Sequence, residues 1–143
     1  LKIHKIDQLK MKVRNQDCII NLLQNKKKNR NLFNKKIFKN FDKDTLFINV
    51  GRGETINEKD LIHFIKNKKI YFACLDVISD EPIYSNHPLT KVENIVVSPH
   101  IAGFTNNFHK EQLLLFKKNL TLFLNNKISR MKFRINNKRL EEK

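Results

Sequence analysis

Leu46-Phe47-Ile48-Asn49-Val50-Gly51-Arg52-Gly53 is an apolar run, broken only by Asn49, that feeds straight into an arginine flanked by glycines. A short run that is apolar at successive positions fits a strand buried on both faces, as in a parallel sheet. Downstream, Leu61, Phe64 and Ile65 recur at the i, i+3, i+4 spacing of one helix face. Asn57 and Asp60 form a start signal ahead of them, and Lys66, Lys68 and Lys69 lie where a helix C-terminus favours cations. Phe72 to Ile78 is then a second apolar run. Strand, helix, strand with short connections is the βαβ unit, which requires a parallel sheet with right-handed crossovers.

The same reading extends in both directions. Upstream, Cys18 to Leu23 is an apolar run interrupted by Asn21; downstream, Ile95 to Val97 is a fourth. Lys26-Lys27-Lys28-Asn29-Arg30-Asn31 is a low-complexity patch suited to a solvated loop or helix start. Towards the end, Leu113, Phe116, Leu120, Phe123 and Leu124 make an apolar stripe at helical spacing, with Thr105 as expected N-cap and Lys117-Lys118 facing away. Beyond Asn126 the chain is basic and weakly patterned, so residues 127–143 are expected to be a partly disordered tail.

The chain has 143 residues, enough for one ordinary domain. It opens on Leu1 rather than Met, so further chain upstream is expected. The formal net charge is +15, from 29 Lys+Arg against 14 Asp+Glu. Such a balance raises nucleic acid or an anionic membrane as a partner. The lysines are spread along the chain, however, and travel with abundant Asn, Ile and Phe, as compositional drift produces. No nucleic-acid partner is therefore expected. Cys18 and Cys74 each lie inside an apolar run, outside any CxxC pair. They are expected to be buried, with no metal site. No apolar run approaches the ~20 residues that span a bilayer, and a reducing cytoplasm fits.

Ligands in open α/β sheets bind at the carboxyl ends of strands, and reactive side chains gather at such ends here. Gly51 and Gly53 permit a tight turn and a close backbone approach around Arg52, whose guanidinium can hold a carboxylate through paired hydrogen bonds. Taken alone, Gly-Arg-Gly is more simply a turn with a surface arginine. Asp76 sits inside an apolar strand and needs a partner there, and Glu81 follows just beyond, stiffened by Pro82. A cap or an ion pair also accounts for these acids. His100 follows Pro99 at the end of the last strand, with Ala102 and Gly103 after it. Histidine is the usual general acid near neutral pH, although a lone histidine is more often structural. His4, His63, His87 and His109 lack such surroundings and receive no role. Ile20-Asn21-Leu22-Leu23-Gln24-Asn25 leaves its strand into a polar loop and says nothing specific on its own.

Read together and in order, Asn49 to Gly53, Leu75 to Glu81 and Pro99 to Ala102 resemble the D-isomer-specific 2-hydroxyacid dehydrogenases. That family's pattern is Asn-x-x-Arg-Gly, then Leu-Asp-Val with a second acid, then Pro-His-x-Ala. Pro88-Leu89 and Glu93-Asn94-Ile95 match its shorter stretches. Ile20-Asn21-Leu22-Leu23 is most similar to the glyoxylate/hydroxypyruvate reductase A branch. Departures are Gln24 and Lys27, where prolines are common, and Phe72, where a glycine usually stands.

The resemblance implies the second half of a doubly wound, Rossmann-like parallel sheet with a C-terminal helix. Residues 1–126 would be the C-terminal part of an NAD(P)-binding domain. It implies reduction of a 2-oxo acid, such as glyoxylate or hydroxypyruvate, to the 2-hydroxy acid by NAD(P)H, with NADPH favoured. Arg52 would clamp the substrate carboxylate, His100 would give the proton and Glu81 would pair with His100. Asp76 would bind the nicotinamide carboxamide or help hold the site. Val50, Gly51, Arg52, Asp76, His100, Ala102 and Gly103 would line the cofactor. Full-length members of this kind are expected to be homodimers. The glycine-rich phosphate turn is not among the three glycines present; in the family it lies upstream. An inactive remnant of such an enzyme, or a basic binding protein on the same fold, are the alternatives.

Overall fold

The computed structural model describes residues 2–134, which divide after Ala102 into two compact units. The first opens with a 3-10 turn, Ile6–Gln8, and helix α1, Leu9–Lys12. Strands β1 (Cys18–Asn21), β2 (Leu46–Asn49), β3 (Phe72–Leu75) and β4 (Ile95–Val97) then alternate with helices α2 (Lys35–Phe38) and α3 (Glu58–Lys66). They form one four-stranded sheet in the order β1-β2-β3-β4, parallel throughout. Cys18 pairs with Leu46 and Leu46 with Phe72, so equivalent positions of the first three strands lie abreast. The expected parallel α/β sheet is therefore present, with each strand stopping at or before the end of its apolar run.

Alternation along the strands sends Phe47, Ala73, Leu75 and Ile95 to one face, where all four are buried. Phe47 is the hub. Its ring centroid lies 5.1 Å from that of Phe33 and 5.7 Å from those of Phe38 and Phe41. Leu61 and Ile65 of α3 join the same core, as the helical spacing requires. Asn57 caps α3 through its side-chain oxygen, which accepts a hydrogen bond from the Asp60 amide at 3.0 Å.

Burial of the strands on both faces does not hold for this unit. The opposite face carries Ile20, 56% exposed, and Val96, 52% exposed. The packed aromatic and helical residues gather on the Phe47 side. For the same reason Cys18 is exposed and Cys74 only half-buried, rather than both being core residues. Phe72 also falls on this open face, beside Leu46, so it displaces nothing in the core.

The second unit contains α4 (Phe108–Leu124) and a 3-10 turn, Ile128–Arg130. Thr105 is not its cap: the helix begins later, behind Asn107, and Thr105 instead gives its carbonyl to the Phe108 amide in the preceding turn. The apolar stripe is helical as read, but Phe116, Phe123 and Leu124 are more than half exposed. Of the expected basic tail, Lys132 exchanges two hydrogen bonds with the Asn119 side chain, and residues 135–143 lie outside the described residues. No helix among the described residues is long and apolar enough to cross a membrane.

Candidate active site

The turn after β2 is built by a buried polar network. Asn21, at the end of β1, donates from Nδ2 to Asn49 Oδ1 at 2.9 Å and to Thr55 Oγ1 at 2.7 Å. Thr55 Oγ1 donates in turn to the Arg52 carbonyl at 2.6 Å, and the Gly51 amide donates to Asn49 Oδ1 at 3.2 Å. Asn21 and Asn49 are 2% and 0% exposed and Thr55 is fully buried, so each bond replaces water that cannot reach these groups. The glycines serve close approach rather than unusual dihedrals. A Cβ on Gly51 would lie 2.7 Å from the Leu23 backbone, and one on Gly53 would lie 1.9 Å from the Ile78 carbonyl carbon. The Arg52 backbone is thereby fixed while its side chain stays exposed, with Nη1 donating to the Gly51 carbonyl at 2.7 Å.

Asp76, just past β3, is 6% exposed and finds its partners in the segment after β4. Its Oδ1 accepts from the Ser98 hydroxyl at 2.6 Å and the Ile101 amide at 2.9 Å; its Oδ2 accepts from the Ala102 amide at 2.9 Å. Burial by itself pushes this carboxyl's pKa up. The Ser98 bond, the two amides and the nearby His100 outweigh burial and hold it below the ordinary value. Three of the roughly four acceptor positions of the carboxylate are thus used within the chain. Of the two roles expected for Asp76, this geometry fits holding the site.

Asp76 thereby fixes the stretch that presents His100. His100 adopts a left-handed backbone, φ 56°, which costs a non-glycine residue roughly 1–2 kcal/mol. Such strain persists where surrounding bonds over-determine it, and here the flanking residues Ser98, Ile101 and Ala102 are all tied to one carboxylate. In this conformation His100 Nδ1 lies 2.9 Å from Glu81 Oε2. Glu81 Oε1 accepts from the Ile78 amide at 3.2 Å. The bond from His100 is the main reason the Glu81 carboxyl is held below its usual pKa; burial opposes it, and the Ile78 amide and the charges of His100 and Arg52 reinforce it.

A cleft of about 360 Å³ opens at these strand ends, lined by the apolar Ile78, Pro82, Ile83 and Val97 together with Asp76, Glu81, Ser98 and His100. The structure thus brings Asp76, Glu81 and His100 together. Arg52 reaches Glu81 through its charge but does not line the cleft. Val50 is half-buried just past β2, Ala102 is held by Asp76, and Gly103 opens the second unit with open space where a Cβ would stand.

Residues 2–102 match the family model described as D-isomer specific 2-hydroxyacid dehydrogenase, NAD binding domain. The chain belongs to the D-isomer specific 2-hydroxyacid dehydrogenase family. Among curated relatives, it is 39% identical over 89 residues to a human glyoxylate reductase/hydroxypyruvate reductase, covering 62% of this chain and 27% of that protein. It is 35% identical over 101 residues to glyoxylate/hydroxypyruvate reductase B of Salmonella newport, covering 71% of this chain and 31% of the relative. The chain therefore spans about a third or less of those relatives. A family member from Aeromonas salmonicida superimposes with a TM-score of 0.76 at 28% identity, over 84% of this chain and 38% of the other. The NADPH-dependent glyoxylate/hydroxypyruvate reductase of Sinorhizobium meliloti, solved with NADP and sulfate, shares the fold with a TM-score of 0.75 at 22% identity, over 86% and 40%.

Asn21, Thr55 and Ser98 build this site although sequence reading assigns them no role. An asparagine inside an apolar strand run signals a buried amide in need of partners. That signal was present at Asn21, but its partners come from segments 28 and 34 residues away.

Proposed function

We propose that this chain is the C-terminal part of the NAD(P)-binding domain, residues 1–126 with a basic tail from 127, of a reductase converting a 2-oxo acid such as glyoxylate or hydroxypyruvate to the 2-hydroxy acid. The observation that carries this reading is the 2.9 Å contact between His100 and Glu81 at the strand ends, beside a cleft of substrate size. The names of the curated relatives support the substrate class.

The cleft suits the nicotinamide end of NAD(P)H, since it offers an apolar wall beside a carboxylate–imidazole pair. The relative solved with NADP favours NADPH. When bound, that cofactor supplies the hydride. Val50, Gly51, Arg52, Asp76, His100 and Ala102 form or support the surface it would meet. No glycine-rich phosphate turn occurs in this sequence, so the pyrophosphate grip is assigned to other parts of the polypeptide.

Arg52 turns its guanidinium from the Gly51 carbonyl to the carboxylate of the 2-oxo acid, a planar, bidentate pairing. His100 gives a proton from Nε2 to the carbonyl oxygen as negative charge develops there. Glu81, on Nδ1, holds the ring in that orientation and stabilises the imidazolium before transfer. We further assign a cytoplasmic setting and a homodimeric full-length enzyme, with no nucleic-acid or membrane partner. The test is consumption of NADPH by the complete polypeptide carrying this chain, with glyoxylate and hydroxypyruvate as substrates. Turnover dependent on either acid supports the assignment. A well-folded protein that binds NADPH but turns over neither acid contradicts it.

A further inference from the structure

Glu58 stands in the first turn of α3, where the helix dipole alone favours an acid. Its carboxylate is nevertheless aimed elsewhere. Oε1 accepts a hydrogen bond from the Ser79 amide at 2.7 Å, 21 residues along the chain. Oε2 lies 3.7 Å from His87 Nε2, and the two side chains are only 18% and 17% exposed. His87 is itself seated, its Nδ1 accepting from the Leu89 amide at 3.3 Å. Ser79 lies between Ile78, whose amide holds Glu81 Oε1, and Glu81 itself. The same segment rests on Gly53, where a Cβ would strike the Ile78 carbonyl. The loop that presents Glu81 is thus gripped at two adjacent residues by the segment that follows Arg52.

We infer that Glu58 is a positioning residue for the Glu81–His100 pair, fixing the Ser79 amide so that Glu81 meets the imidazole while Gly53 keeps the same loop against the Arg52 turn. This rests on the proposed role of Glu81 and His100. It assigns a task to a side chain outside the cleft and gives His87 a structural part in it.

The test uses the 143-residue chain, wild type and with Glu58→Ala, Glu58→Gln or His100→Gln, read by amide hydrogen exchange at Ser79 and by carboxyl-carbon NMR titration of Glu81. A hydrogen bond to a charged acceptor is worth enough that Glu58→Ala should speed Ser79 exchange about tenfold or more. It should also move the Glu81 midpoint up towards an ordinary glutamate, with strand amides unchanged. Glu58→Gln keeps an acceptor oxygen and should retain part of both effects. Wild-type exchange and titration in a folded Glu58→Ala chain overturn the inference. Should that variant not fold, an unprotected Ser79 amide in the wild-type chain overturns it equally. A Glu81 midpoint unmoved by His100→Gln contradicts the pairing behind the proposed function instead, while Ser79 exchange still decides what Glu58 does.

Discussion

His100 Nδ1 and Glu81 Oε2 meet at 2.9 Å although they lie 19 residues apart, on segments that follow different strands. The contact depends on two carboxylates, since Asp76 holds the Ser98 hydroxyl and the Ile101 and Ala102 amides on either side of His100, and Glu81 meets its ring. Both carboxyls are held below their usual pKa. A group whose pKa is depressed by folding contributes stability that is present above its unfolded pKa and lost as the pH falls through its folded one. Urea unfolding of the chain should therefore show stability level above the ordinary carboxylate range, about pH 4, and falling below it. Glu81→Gln and Asp76→Asn should each flatten that fall.

Truncating Asp76 leaves the Ser98 hydroxyl and the Ile101 and Ala102 amides without their acceptor. A hydrogen bond to a charged group is worth roughly 1.5–3 kcal/mol, so Asp76→Ala should cost at least that much in urea unfolding at neutral pH. It should also release the strained backbone of His100, visible as loss of amide protection from Ile101 to Ala102.

Gly53→Ala tests the close approach between the Arg52 turn and the Glu81 loop. The added Cβ would sit 1.9 Å from backbone, not from a flexible side chain, so one segment must move. Overpacking of this kind costs about 1–3 kcal/mol. The expected result is a stability loss of that size, with chemical-shift changes at both Arg52 and Ser79. Gly103→Ala, where nothing lies within 4 Å of the new Cβ, should change stability little and is the internal control.

Asn21→Leu removes the buried amide that bridges the buried Asn49 and Thr55 side chains. Leaving those partners unsatisfied costs roughly 1–3 kcal/mol. Phe47→Ala, at the centre of the aromatic core, should cost more, about 3–5 kcal/mol. Equilibrium denaturation of the two variants orders them.

Much of this was legible in the residues. The apolar runs marked four strands because each strand turns one face to the core, and Asn57 marked the start of α3 because it is the cap. Arg52, Glu81 and His100 were legible as an ordered set of strand-end residues. What escaped was what depends on partners distant in sequence. The open face that exposes Cys18, Ile20 and Val96 could not be told from the covered one, because both are apolar. Thr105 had the chemistry of a cap, but the turn ahead of α4 shifted the helix start past it. Asp76 was recognisable as a buried charge needing a partner, while the choice of Ser98, Ile101 and Ala102 is set by the register between β3 and β4.

The most direct test of the account is the turnover of the complete polypeptide with His100→Gln, measured as kcat/KM for NADPH-dependent reduction of glyoxylate or hydroxypyruvate. Removal of a positioned general acid predicts a loss of about 10²- to 10⁴-fold, with NADPH binding retained. A variant that turns over within a few-fold of the wild type would remove His100 from proton delivery, and the reading of the Glu81 pair would fall with it.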